Sequence, residues 1–422
     1  MGGATPSRKS DQARVASSDP RRFAATARGS SPRRVRADTA RQVLLAISAA
    51  NSICGDCACP SCSNPRPLTL GCMDRADAGG LGDVPSQSAV VITGANGEIG
   101  HALIERLTEH GRDAVIAMDL RELDAPVASR CAQVVVGDVT DPATFERVGE
   151  QYDVRAVYHL AAMLSTSSEK HPERAQSVNV DGTLRALSFA MSRSARRGER
   201  VSFLFPSSIA AYGLPSLVEK RRAGAVNESQ FNTPTTMYGV NKLYGEHLGR
   251  YFARHYRQLS QEPNPPGIDF RSIRFPGIIS AFTVPSGGTS DYLPEMLHAA
   301  AQSKDYACFV RGDTRIPFMA MPDAVDALLD LAAADGAKLS SVVYNVTAFN
   351  PTPEEFSRAV LSAFPKASVS YDPHPKRQGI VDSWPEQLDD SLARADWGWS
   401  AKYSLERMMD EYLLPNVRKR YS

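Results

Sequence analysis

A chain of 422 residues has room for several domains, or for one large domain with a tail. Hydrophobic residues make up 42% of it, enough for a substantial core, and 48 basic residues nearly balance 47 acidic ones. That balance excludes a globally basic nucleic-acid binder, and with no apolar run approaching about 18 residues no membrane span is expected.

Residues 1–86 differ in composition from the rest of the chain. They are rich in Ser, Ala, Pro and Gly, and carry Arg21, Arg22, Arg33, Arg34, Arg36 and Arg41 against few acids. "RADTARQVLLAISAAN" reads as a short amphipathic helix within this leader. An arginine- and serine-rich, acid-poor leader fits an organellar transit peptide, so a mitochondrial address is expected. A disordered tail on a cytoplasmic protein, or a true start at Met73, remain the alternatives. Cys54, Cys57, Cys59, Cys62 and Cys72 all lie here, and "CGDCACPSC" holds two CxxC pairs one residue apart. Zinc fingers leave a much longer loop between pairs, so no metal is expected. Only Cys131 and Cys308 lie beyond the leader, which suits an intracellular fold without disulfides.

From Ser88 the pattern changes. "SAVVIT" is an apolar run suited to a buried parallel strand, and "EIGHALIERLTEHG" continues as a helix with Ile99, Ala102, Leu103 and Leu107 on one face and Gly111 at its end. "DAVIAMD", "AQVVVGD", "AVYHLAA", "VSFLFPSS" and "DFRSIRF" then alternate with helical segments. This predicts an α/β fold, a Rossmann-type doubly wound parallel sheet over residues 87–275. Residues 276–417, with "DAVDALLDLAAA" as a helix and "SVVYNVT" as a strand, predict a smaller α/β substrate domain, some of whose segments return to the sheet.

"VITGANGEIG" places Gly94, Gly97 and Gly100 between a strand and a helix, with Asn96 and Ile99 in the same turn. Glycine lets the backbone approach a pyrophosphate, and the helix N-terminus favours its charge. The next strand ends at Asp119, placed to bind the ribose hydroxyls; this favours NAD over NADP, although Arg121 close by keeps the phosphorylated form open. Asp138 and Val139 are expected at the adenine, and Leu160, Ala161 and Ala162 at the end of the fourth strand complete the cofactor wall.

In "TTMYGVNKLYGEHL", Tyr238 and Lys242 lie four apart and share a helix face. An ammonium beside a phenol, joined by the positive nicotinamide, favours the phenolate, and a shift of about three pKa units corresponds to roughly 4 kcal/mol. Such a phenolate takes an alcohol's proton while its hydride leaves for NAD. Ser208 in "FPSSIAAYG" is expected to orient the substrate oxygen, with Ser207 second.

This constellation resembles the extended short-chain dehydrogenase/reductase family over about residues 88–417, which implies Tyr238 as acid/base, Lys242 as its activator and ribose holder, and Ser208 as the oxygen's partner. "RFPGIIS", "PSGGTSDY", "RIPFMAMPDA", "DSWPEQLDDSLARADWGW" and "HLAAMLS" narrow the likeness to that family's short-chain L-threonine 3-dehydrogenase branch. The branch implies NAD-dependent oxidation of the L-threonine 3-hydroxyl and a homodimer paired through two long helices. It also implies Ser165 and Thr289 at the amino acid's polar groups, with Thr236 and Trp384 as weaker candidates. "LVEKRRAGAVNESQFN" and "QLSQEPNPPGID" are longer than the branch's usual connections and are expected as surface loops, and Asn241 stands where a serine is frequent. A nucleotide-sugar 4-epimerase or dehydratase is the alternative, kept open by Arg274 and Arg315. Zinc chemistry is disfavoured, since His159 and His247 lack paired ligand spacing.

Overall fold

A computed structural model describes residues 87–422 apart from Arg112, Glu150 and Ser286; the arginine-rich leader, its candidate helix and its cysteine cluster lie outside the described residues. Seven parallel strands build the main sheet: β1 (Gln87–Thr93), β2 (Ala114–Asp119), β3 (Gln133–Val136), β4 (Tyr152–His159), β5 (Val201–Ser208), β6 (Ile268–Phe275) and β7 (Val343–Asn345). Their order is β7-β6-β5-β4-β1-β2-β3, so the winding reverses between β1 and β4. In such sheets a crevice opens outside the carboxyl ends at this point.

Both faces of the sheet are covered, which is why its strands read as continuous apolar runs. Val90 and Ile92 of β1 face one core, and Ala89 and Val91 face the other. Helices α1 (Glu98–His110), α2 (Gly182–Arg197) and α3 (Met237–Arg254) flank the strands. Helix α3 lies close to the sheet because two of its inward positions lack a side chain. A Cβ at Gly245 would come within 2.4 Å of the Phe205 ring, and one at Gly249 within 2.1 Å of the Phe270 ring.

"SVVYNVT" supplies β7, pairing Val343 with Ser272 and Asn345 with Arg274. The rest of the C-terminal region includes α4 (Tyr292–Ala301), α5 (Met321–Ala333) and α6 (Pro375–Asp382). Tyr292, Phe318 and Trp384 from this region share one apolar cluster with Ile92 and Leu204 of the sheet. The C-terminal region is thus packed directly on the main sheet.

One of the two long connections is not the surface loop expected. Residues 217–232 form a helix, Leu217–Ala223, and a strand, Ala225–Val226, which pairs with Gln387–Leu388. Lys220 and Val226 are buried, and Lys220 Nζ donates to the Val381 carbonyl at 3.0 Å. The second connection does lie on the surface, with Leu259 94% exposed.

Candidate active site

A cavity of about 830 Å³ opens at the reversal point of the sheet. Its first wall is the turn after β1. Gly94 sits at φ 69°, in the left-handed region, and a Cβ there would lie 2.5 Å from the Ala161 nitrogen. Only glycine allows the β1 and β4 ends to approach so closely. Gly97 begins α1 and donates its N–H to the Gly94 carbonyl at 3.1 Å. Asp119, at the end of β2, accepts the Asn96 N–H at 2.9 Å and the Arg121 N–H at 3.1 Å, which fixes its carboxylate at the cavity edge.

Ile99, Gly100, Asp138, Val139, Leu160, Ala161 and Ala162 line the same wall. Asp138 Oδ1 also accepts the N–H and hydroxyl of Thr140, at 2.9 and 2.8 Å, so it holds its own turn. Buried His159 bridges Thr93 and Thr183 at 2.8 and 3.1 Å, a structural role. A Gly-cradled crevice, a free helix N-terminus and a carboxylate at the end of β2 together fit a dinucleotide.

The second wall is α3. Thr236 caps it, its hydroxyl accepting the Gly239 N–H at 3.1 Å. Thr236, a weaker substrate candidate, is buried, gives an oxygen lone pair to the helix end and is outside the cavity lining. Tyr238 and Lys242 do line it. Lys242 Nζ lies 5.6 Å from the Tyr238 ring centre and 4.8 Å from that of Phe205, and donates to the Pro206 carbonyl at 2.7 Å.

The expected acidification of the phenol relied on Lys242 together with a nicotinamide charge; the protein's own groups act the other way. Burial pushes the Tyr238 phenol up to about 12 rather than towards neutrality. Burial likewise lowers Lys242 to about 8, with Glu246 pulling it the other way. Desolvation outweighs the lysine's field because its ammonium is turned to the Pro206 carbonyl. The chain alone therefore keeps the phenol protonated, and its acidification requires a further positive charge in the cavity.

Both strand-end serines line the cavity, but Ser207 is buried and donates to Glu246 Oε1, while the Ser208 Oγ accepts the Ala210 N–H at 3.1 Å.

The substrate end is assembled from distant segments. Thr289 Oγ1 donates to Ser165 Oγ at 3.1 Å, and both line the cavity. The glycine turn before Thr289 is held by Thr166, whose hydroxyl donates to the Gly287 carbonyl at 2.9 Å, and by Arg377 of α6, which donates to the Gly288 carbonyl at 2.6 Å. Trp384 packs in the core and lines the cavity, its indole nitrogen buried without a hydrogen-bond partner. Sequence reasoning missed Met163, Lys170, Arg174, Asp291 and Met321, which also line the cavity. Met163, Asp291 and Met321 lie inside "HLAAMLS", "PSGGTSDY" and "RIPFMAMPDA" but were not singled out there, while Lys170 and Arg174 belong to no quoted motif and converge only through folding. It also missed Glu98, beside the glycine turn, whose carboxyl burial raises above the ordinary range.

Arg274 and Arg315 are outside the cavity lining. Arg274 is paired twice with Glu246, at 2.8 and 2.7 Å, and Arg315 bonds Glu355 and the Asn350 carbonyl.

Comparison with known proteins agrees with this geometry. The model of the NAD-dependent epimerase/dehydratase family matches residues 90–347. An uncharacterised epimerase/dehydratase of Staphylococcus saprophyticus is 38% identical over 323 residues, covering 76% of this chain and 94% of that protein. Among solved structures, a monomeric L-threonine 3-dehydrogenase from a metagenome superposes with a TM-score of 0.69 at 34% identity, covering 79% of this chain and 100% of that one. The UDP-glucose 4-epimerase of Thermotoga maritima superposes with a TM-score of 0.66 at 21% identity over 79% of this chain and 100% of that one, a likeness of fold.

Proposed function

We propose L-threonine 3-dehydrogenase activity for this chain, which belongs to the NAD-dependent epimerase/dehydratase family. The reaction oxidises the 3-hydroxyl of L-threonine, giving 2-amino-3-oxobutyrate and NADH. NAD held by the Gly94 turn and Asp119 supplies the hydride acceptor and a positive nicotinamide. Tyr238 takes the hydroxyl proton, Ser208 steadies the oxygen, and Lys242 keeps a positive charge beside the phenol.

The observation that carries this reading is the meeting of Ser165 and Thr289. Their hydroxyls come together 3.1 Å apart in the cavity that Ser208, Tyr238 and Lys242 also line. Two small hydroxyls can donate to a carboxylate and accept from an ammonium, the two ends of an α-amino acid. The similarity to L-threonine 3-dehydrogenase structures supports the same substrate. The sugar-nucleotide alternative loses the two arginines that kept it open, since Arg274 and Arg315 are engaged elsewhere.

Incubation with NAD and L-threonine, and separately with NAD and UDP-glucose, tests the proposal. NADH should appear with threonine. Turnover of the sugar nucleotide alone would overturn the assignment. The exposed Leu184 of α2 with Val240, Tyr244 and Tyr251 of α3 supports a homodimer through these helices, which sedimentation of the purified chain checks.

A further inference from the structure

Asn241 lies between Tyr238 and Lys242 in α3 and is buried. Its Oδ1 accepts from Asn179 Nδ2 at 3.2 Å, and its Nδ2 donates to Gln176 Oε1 at 3.1 Å. Asn179 is itself buried, in a π-helical turn, Ser177–Asp181, just before α2. It grips one residue through both of its backbone groups: its Oδ1 accepts the Met163 N–H at 2.7 Å and its Nδ2 donates to the Met163 carbonyl at 3.1 Å. Two residues beyond Met163 stands Ser165, whose Oγ accepts from Thr289 at 3.1 Å. A run of buried amides thus connects the catalytic helix to the proposed substrate hydroxyls.

The polarity of this run is dictated from one end. The Met163 N–H needs an acceptor, which fixes the orientation of the Asn179 amide. The Asn179 NH₂ then points at position 241, which must present an acceptor there and, on its other side, a donor for Gln176. Asparagine offers both on one short planar group. A serine side chain is shorter, so its hydroxyl falls short of the buried Asn179 NH₂ and leaves that amide without its acceptor.

The loop's two halves have separate anchors. Leu160 and Ala161, on the cofactor side, are held by β1, through the Thr93 carbonyl at 3.0 Å and its hydroxyl at 3.4 Å. Met163, on the substrate side, is held by Asn179. We propose that Asn241 is a positioning residue for substrate: by fixing Asn179 it places Ser165 against Thr289, and it leaves the cofactor wall untouched. This rests on the reading of Ser165 and Thr289 as the amino-acid site.

Asn241→Leu, which keeps the volume and removes the amide, is the test. KM for L-threonine should rise about tenfold, the effect expected of one broken buried hydrogen bond. NAD affinity, followed by quenching of protein fluorescence, should stay within about twofold. Asn179→Ala should produce the same KM effect, and the double variant little more, because both act on one contact chain. Without any substrate, hydrogen exchange should quicken at the Met163–Ser168 amides of the variant and stay unchanged at Leu160 and Ala161. An unchanged KM in a variant that turns threonine over overturns the proposal, as does NAD affinity falling in step with it. If the wild type does not turn threonine over, the function reading fails while the exchange measurement still decides the anchoring: unchanged protection at Met163–Ser168 overturns it.

Discussion

Tyr238, Lys242 and Glu246 succeed one another at intervals of four along one face of α3, yet the two ends of that face solvate charge in opposite ways. At the Glu246 end the carboxylate accepts two bonds from Arg274 and one from Ser207, while Arg274 also reaches the Glu228 carbonyl at 3.2 Å and lies 4.6 Å from the centre of the Tyr212 ring. Burial opposes the Arg274 charge, but the bonds and attraction of Glu246 hold it above its ordinary range. At the other end Lys242 receives one backbone carbonyl and falls to about 8. A fully compensated pair serves as scaffold. An under-compensated cation stays poised to respond to whatever enters the cavity.

The largest effect should come from breaking the scaffold end. Arg274→Met leaves Glu246 buried without its partner and should cost about 3–5 kcal/mol in denaturant unfolding, much of it recovered in Arg274→Met/Glu246→Leu. A variant that unfolds at the wild-type denaturant concentration would erase the contrast between the two ends.

At the reactive end, Tyr238→Phe should leave folding and NAD binding nearly unchanged. Turnover should fall by at least about a hundredfold, the usual contribution of a general base. Retained turnover would make the phenol part of the scaffold. In the free protein Tyr238 should resist ionisation up to about 12, and NAD should bring that titration to lower pH in an ultraviolet absorbance measurement.

The smallest effect sharpens the contrast through two lysines. Lys220 resembles Lys242: it is buried, gives one bond to a backbone carbonyl, and is lowered by burial to about 8. For each, the folded value lies below the ordinary 10.5, so between those pH values the unfolded chain holds the proton that the folded chain has lost. Stability contributed by each therefore rises with pH from about 8 to 10.5. Replacement by methionine removes that slope and at pH 7 should stabilise by roughly 2 kcal/mol, desolvation relieved less one hydrogen bond. Lys242→Met should do so with turnover lost, Lys220→Met with turnover kept. Melting temperatures across pH 7 to 10 for the three proteins check the sign; a Lys220 variant as inactive as the Lys242 variant would show that burial, and not the neighbouring phenol, is what matters.

Much of the molecule was legible in its residues. The parallel strands arise from apolar runs alternating with helical periodicity; "SVVYNVT" was legible as a strand, though not as the edge of the main sheet. The cofactor turn was legible because its parts are contiguous: Gly94, Gly97 and Gly100 act through local backbone geometry. Ser208 and the Tyr238/Lys242 pair were legible for the same reason, one at a strand end and the other on a single helical turn.

What the residues did not disclose depends on competition between distant groups. That Thr236 would spend its oxygen on a helix cap, and that residues 217–232 would bury Lys220 against Val381, are outcomes of packing. Folding likewise joined Ser165 and Thr289, both expected at the substrate, in a direct hydrogen bond across 124 positions, and set Asn241 to anchor Asn179. The four-residue spacing of Tyr238 and Lys242 shows that a cation is near the phenol and says nothing of the water removed around it. Local order fixes which chemical groups share a turn or a helix face. Desolvation and long-range contacts, which exist only once the sheet has closed, decide what charge those groups carry and which of them meet.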